Sequence, residues 1–85
     1  MGRARRLLAQ MRANPLDWRI EDFKVLAGHF GIVYRQQGTS HVVFRVAGEP
    51  LVTVPAARPV KPVYVRQFLA MIDQLEANRE EKPSS

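Results

Sequence analysis

The chain has 85 residues, no cysteine and a formal net charge of +5 at neutral pH. Its length accommodates one domain, and a composition of 46% hydrophobic and 25% charged residues is typical of a folded protein. The missing cysteines exclude disulfides, thiolate nucleophiles and cysteine-ligated zinc, and the short apolar runs exclude a membrane-spanning helix, so we expect a cytoplasmic protein with an anionic partner.

The first predicted element is a basic amphipathic helix. Its apolar residues are spaced i, i+3, i+4 and i+7 from Ala4 to Met11, and four arginines occupy the remaining face. Pro15 ends the helix, because the residue before a proline is pushed out of the helical conformation. We interpret residues 1–15 as an N-terminal arm, which either docks on the domain through its leucines or contacts RNA, lipid or a partner protein.

A second helix is predicted over the apolar positions from Ile20 to Phe30. Asp17 is its expected N-cap, and Gly31 is its expected stop, since glycine takes the left-handed C-terminal position without strain. His29 falls in the last turn, where an imidazolium interacts favourably with the helix dipole. We therefore assign His29 a structural role away from the site proposed below.

Beyond this helix the apolar period changes to 2, which predicts an antiparallel meander of strands at residues 32–36, 40–46 and 51–54. Three prolines within residues 55–62 predict an extended crossover, and an apolar stripe from Val65 to Leu75 predicts a final helix. The predicted fold class is α+β, ordered α-α-β-β-β-α, with helices packed on one face of a three-stranded sheet. We place the domain at residues 16–77 and a flexible tail at residues 78–85.

Alternation along the hairpin separates a covered face from an open one. The face that needs a helical cover holds Ile32, Tyr34, Val42, Phe44 and Val46. The open face presents Arg35, His41 and Arg45. A three-residue loop at residues 37–39 makes Arg35 the direct cross-strand neighbour of His41, and a slip in register would make the two diagonal neighbours.

A histidine among arginines suits the cleavage of RNA by the neighbouring 2′-OH. That reaction needs a proton taken from the hydroxyl, a proton given to the 5′-oxygen and positive charge at the phosphate, and it needs no metal or cofactor. His41 is the candidate for one proton transfer, while Arg35 and Arg45 would hold the phosphate. Further RNA contacts are expected from the loop and the crossover, at Gly38, Thr39, Ser40, Arg58 and Lys61.

A second acid–base group is not assigned by the sequence. Tyr34 is expected on the covered face, and no carboxylate falls in the hairpin. Ten of the 13 basic residues precede Pro62, so the basic surface belongs to the first two-thirds of the chain. An exposed histidine flanked by arginines is also a common feature of ordinary protein surfaces, and that interpretation stays open.

A Gly-x-Ser-His motif at Gly38–His41 is followed by Phe44, three positions beyond the histidine, and by a Thr-Val-Pro strand end at Thr53–Pro55. Together with the helix that comes next, this arrangement resembles the HicA family of bacterial toxins over roughly residues 19–75. The resemblance implies a fold like that of double-stranded-RNA-binding domains and a ribosome-independent mRNA endonuclease with His41 as its one key histidine. It also implies a HicB-type antitoxin that neutralises the enzyme.

Two alternatives accompany this hypothesis. The position after His41, often a second histidine in the family, is Val42 here, so a weakened or degenerate enzyme stays open. A non-catalytic RNA-binding module of the same fold would use the same basic face to bind phosphates, with His41 only hydrogen-bonding a 2′-OH. A purely structural partner-binding protein would have no RNA affinity even at low salt. If the toxin hypothesis is right, we expect the antitoxin to cover the open face with an acidic surface.

Overall fold

Three helices and three strands follow one another in the order expected from the sequence, in a computed structural model that describes residues 2–38 and 40–81. The elements are α1 (Arg3–Ala13), α2 (Ile20–Phe30), β1 (Val33–Gln37), β2 (His41–Arg45), β3 (Val52–Pro55) and α3 (Pro62–Glu81). The strands form one antiparallel sheet in the order β1-β2-β3, which confirms the α+β class. Within the described residues, no helix is both long and apolar enough to cross a membrane.

The helix α1 packs on the rest of the domain. It buries three apolar residues in the common core, namely Ala4, Leu8 and Met11. Its basic side reaches the far end of the chain, where the Arg5 guanidinium lies 3.3 Å from a Glu76 carboxylate oxygen. The Arg12 guanidinium pairs with the carboxylate of Asp73. Of the alternatives for the arm, the structure shows the docked one.

The two ends of α2 differ in how well the sequence predicts them. Gly31 has φ +74°, the left-handed conformation expected of a glycine that ends a helix, and this prediction is confirmed. The predicted N-cap is wrong, because the helix begins after Arg19 and not after Asp17. The Arg19 N–H donates to the Asp22 carboxylate at 3.1 Å, while Asp17 occupies a turn with φ +66°.

Three phenylalanines, one each from α2, β2 and α3, form the centre of the core. The ring of Phe68 in α3 lies 4.8 Å from that of Phe23 in α2 and 4.9 Å from that of Phe44 in β2. The predicted stripe of α3 is buried at Val65, Phe68 and Ile72, with Met71 added. The helix continues to Glu81, so the first residues of the predicted tail are helical. Both helices therefore cover one face of the sheet and leave the other open.

The register of the β1–β2 hairpin differs from the predicted one. Gln37 pairs with His41, and Arg35 pairs with Val43. The prediction of a direct Arg35–His41 pair is therefore wrong, and the two residues are diagonal neighbours. The turn starts one residue later than expected because Gly38 takes φ +63°, a turn conformation that leaves Gln37 in the strand. Each β1 residue pairs two positions further along β2 than predicted. Side chains two positions apart point to the same face, so every side chain keeps its predicted face.

Tyr34 departs from the expectation of a fully covered face. It lies on the helix side of the sheet but on an edge strand, and its side chain is 42% exposed. The Lys24 ammonium lies 5.6 Å from the centre of the Tyr34 ring and covers it in part. The other positions of this face in β2, Val42 and Phe44, are completely buried.

Candidate nucleic-acid interface

The face of the sheet opposite the helices is basic. Its exposed strand residues are Val33, Arg35, His41, Arg45 and Thr53, with the half-buried Val43 between them. No strand position on this face carries a carboxylate, so the positive charge is not neutralised locally. The alternation that buries Val42 and Phe44 forces their neighbours His41, Val43 and Arg45 to the open side. We call this surface the open basic face.

Arg35 lies at the centre of the edge strand β1, on the open basic face. It stands opposite Val43, which lies between His41 and Arg45 on β2, so Arg35 is a diagonal neighbour of both. Diagonal neighbours in an antiparallel sheet are roughly 7–8 Å apart, a gap that long arginine side chains can span. Neither Arg35 nor Arg45 forms an ion pair among the described residues. Both guanidinium groups are therefore available to an anion, and Arg35 is the nearer of the two to His41, because Arg45 lies four residues away at the other end of β2.

His41 lies at one end of the sheet, where the hairpin loop meets the crossover. It is the first residue of β2 and pairs with Pro55, the last residue of β3. The carbonyl of Ser40 accepts a hydrogen bond of 2.8 Å from the N–H of Ala56. Gly38 and Ser40 are exposed in the loop, while Thr39, also a predicted contact, lies outside the described residues. The loop and the start of the crossover thus border His41 on two sides.

The two basic residues of the crossover have different surroundings. The Arg58 guanidinium lies 3.7 Å from the Glu21 carboxylate, and both side chains are well exposed, so this ion pair is weak. Lys61 forms no ion pair in the part of the chain that the structure describes. The N–H of Val60 donates to the carbonyl of Trp18 at 2.8 Å and ties the crossover to the α1–α2 connection. Lys61 is therefore the better placed of the two to hold a phosphate.

A small cleft lined in part by Pro55, the cross-strand partner of His41, contains a residue that the sequence reasoning missed. The cleft has a volume of about 260 Å³ and is lined by Pro55, Ala57, Lys61 and Tyr64. The sequence pattern assigns Tyr64 neither to the core nor to the site, because the apolar stripe of α3 begins at Val65. The spacing of a lysine and a tyrosine three residues apart at a helix start is the signal that could have found it.

The second histidine lies away from this site. His29 is exposed in the last turn of α2, and its ring stacks edge-on against Phe30 with centroids 4.8 Å apart. It precedes the start of β1, whereas His41 pairs with the last residue of β1, about 13 Å along the strand. The expected separation of His29 from His41 is thus observed, while its structural role stays a prediction. No group of three or more His, Asp or Glu side chains suited to a metal ion occurs within residues 2–38 and 40–81.

Comparison with protein-family models, curated proteins and solved structures finds no match to this chain. The class that the fold and the site define is a small α+β domain with a basic, helix-free sheet face that carries one histidine. The resemblance to the HicA family stays an inference from the hairpin and strand-end motifs. Any function must therefore be argued from the residues of this chain.

Proposed function

We propose that this protein is the toxin of a type II toxin–antitoxin system, a cytoplasmic mRNA endoribonuclease that uses His41 as its single catalytic histidine. The observation that carries the proposal is the position of His41 on the open basic face, diagonal to Arg35 and with Arg45 at the other end of β2, both arginines without ion-pair partners among the described residues. Cleavage of RNA by its own 2′-OH requires at least one group that transfers a proton and a surface that binds the phosphate. An imidazole among arginines provides both. The hairpin motif that resembles HicA toxins adds support from the sequence.

In the proposed reaction the 2′-oxygen attacks the adjacent phosphorus and the bond from phosphorus to the 5′-oxygen breaks. The products are a 2′,3′-cyclic phosphate and a free 5′-hydroxyl, and one proton moves from the 2′-OH to the leaving oxygen. His41 serves as the general base or the general acid in this transfer. Arg35 and Arg45 stabilise the negative charge that develops on the non-bridging oxygens. The chemistry calls for no metal and no small-molecule cofactor.

The substrate we propose is single-stranded or locally unpaired mRNA. In-line attack by the 2′-OH requires a backbone that can rotate, and a paired A-form strand resists that rotation. Lys61 extends the phosphate-binding track beyond the loop, with Arg58 at its far side. Gly38 leaves room for the backbone of the RNA to approach the loop. A membrane plays no part in this function.

A HicB-type antitoxin is the proposed protein partner. It would cover the open basic face with carboxylates, since like charges there would repel the arginines. The face offers no acidic strand residue of its own, so an acidic partner would supply every counter-charge. Binding would also stabilise a domain of only 85 residues by mass action.

The test compares His41→Ala with His29→Ala, because these two positions hold the only histidines of the chain. We expect the wild type and His29→Ala to arrest bacterial growth and to cleave RNA in the presence of a chelator. His41→Ala should lose cleavage by about 10²-fold or more and keep its salt-dependent affinity for RNA. Equal activity of the two variants, or an inactive wild type, would overturn the proposal that the protein is an enzyme with His41 as its catalytic histidine.

A non-catalytic RNA-binding module is the second candidate. It is favoured by one observation, namely that no strand position on the open basic face carries a carboxylate or a second histidine to complete an acid–base pair. In that case His41 would only hydrogen-bond a 2′-OH, and the arginines would still bind phosphate. Salt-dependent RNA binding without cleavage by the wild type would select this candidate.

A further inference from the structure

We propose that the cleft formed by Pro55, Ala57, Lys61 and Tyr64 binds one unpaired nucleotide of the RNA next to His41. The base would stack on the ring of Tyr64, and the ammonium of Lys61 would contact a phosphate of the same nucleotide. The inference rests on the proposed function in one respect, since it requires RNA to lie on the open basic face. It does not require cleavage.

The cleft and the open basic face meet at Pro55. Pro55 lines the cleft and is also the direct cross-strand partner of His41. The hydrogen bond of 2.8 Å from the N–H of Ala56 to the carbonyl of Ser40 holds the crossover against the hairpin loop. An RNA strand held at Arg35 and His41 therefore reaches the cleft within about one nucleotide, because residues paired across two strands are only about 5 Å apart.

The lining of the cleft has the chemistry of a nucleotide site. Proteins bind single-stranded RNA by stacking bases on aromatic rings and by placing cations along the backbone. Tyr64 is half-buried and packs against the core, which holds its ring in place. Its N–H donates to the carbonyl of Lys61 at 3.0 Å, so the lysine and the ring stay on adjacent positions at the start of α3. None of the lining residues is acidic.

The size of the cleft limits what can occupy it. Its volume of about 260 Å³ lies below the roughly 300–1,000 Å³ of pockets for drug-sized ligands. A cleft of about 260 Å³ has room for one base with its sugar but not for two stacked nucleotides or a folded peptide. The occupant we propose is therefore a single nucleotide that is not base-paired, which agrees with the unpaired substrate proposed above.

The chain contains a matched control for this pair of residues. Tyr34 and Lys24 form the only other tyrosine–lysine pair in contact among the described residues, with the ammonium 5.6 Å from the ring centre. There the lysine itself covers the ring, and its ammonium also donates to the side-chain carbonyl of Gln36 at 3.3 Å. This second pair lies on the helix side of the sheet, away from His41. Equivalent substitutions at the two pairs therefore separate a nucleotide site from general aromatic or cationic effects.

The experiment titrates a fluorescent single-stranded RNA oligonucleotide into full-length protein in the His41→Ala background, so that binding is measured without cleavage. Tyr64→Leu should weaken binding about tenfold, while Tyr64→Phe and the control Tyr34→Leu should stay within about twofold. Lys61→Ala should lower the slope of log affinity against log salt by about 0.7, and Lys24→Ala should leave it unchanged. Thermal unfolding of each variant establishes that it is folded, and Lys61→Ala at its exposed position carries the test if Tyr64→Leu unfolds.

The outcomes distinguish the two proposals. If the protein binds RNA and the Tyr64 and Lys61 variants behave like their controls, the nucleotide site is overturned while the proposed function stands. If the wild type binds RNA without cleaving it, the proposed enzymatic activity is overturned. The same titration still tests whether the cleft binds a nucleotide. If no RNA binds even at low salt, both proposals fail.

Discussion

The helix α1 and the open basic face are both rich in arginine, yet their arginines have different surroundings. In α1, Arg5 and Arg12 form ion pairs with carboxylates of α3. On the sheet, Arg35 and Arg45 form no ion pair among the described residues. The number of arginines therefore does not show which of the two regions is open to an anionic ligand, whereas the presence or absence of a carboxylate partner does.

The two regions also differ in what holds them in place. Exposed ion pairs contribute only about 0.2–1 kcal/mol each, so the docking of α1 depends mainly on its buried apolar residues. The open basic face is held by the sheet itself, because Val42 and Phe44 are completely buried on the reverse side. Charge in α1 therefore adjusts stability, whereas charge on the open basic face is available for a ligand. The following variants test this contrast.

The largest effect on stability is expected from Met11→Ala. Met11 is 0% exposed in the core, and truncation of a buried methionine to alanine costs about 2–5 kcal/mol. Urea denaturation should show this loss, while the RNA affinity of the folded variant should equal that of the wild type. If a folded Met11→Ala protein binds RNA much more weakly than the wild type, α1 takes part in RNA binding. The proposed difference between α1 and the open basic face is then wrong.

A double variant of the sheet, Arg35→Ala with Arg45→Ala, should weaken RNA binding about tenfold or more and lower the salt slope by about 1.4, as expected for two lost phosphate contacts on a single strand. The matched control is Arg5→Ala with Arg12→Ala, which changes the net charge equally. Its salt slope should stay at the wild-type value. Equal losses in both double variants would mean that net charge alone, and not the sheet, binds RNA.

The smallest effect is expected from Arg12→Ala. Its ion pair with Asp73 is exposed, so its loss should lower the free energy of unfolding by at most about 1 kcal/mol, and less at high salt. Arg3→Ala, which removes an exposed arginine without an ion pair in the described residues, serves as the control and should change stability by less than about 0.5 kcal/mol. A difference between the two variants that persists in high salt would show that Arg12 acts through packing instead of charge.

Much of the candidate site was predictable because strand alternation is a local property. The period of 2 around Val42 and Phe44 places His41 and Arg45 on the open side, whatever partner β2 has. The exact pairing was not predictable, since the predicted and observed registers keep every side chain on the same face and use loops of equal length. The conformation of Gly38 selects between them, and sequence alone does not indicate whether this glycine is the first or the second residue of the loop.

The sequence by itself determined the elements, their order and the faces of the sheet, because these follow from periodicity and from chain-breaking residues such as Gly31 and Pro15. Only the tertiary structure decided which charges are paired and which residues share a cleft. Arg5 and Glu76 are 71 positions apart, and Tyr64 shares a cleft with Pro55, the cross-strand partner of His41, only because the crossover brings the start of α3 back to the end of β3. Such encounters depend on the packing of distant elements, which no local pattern specifies.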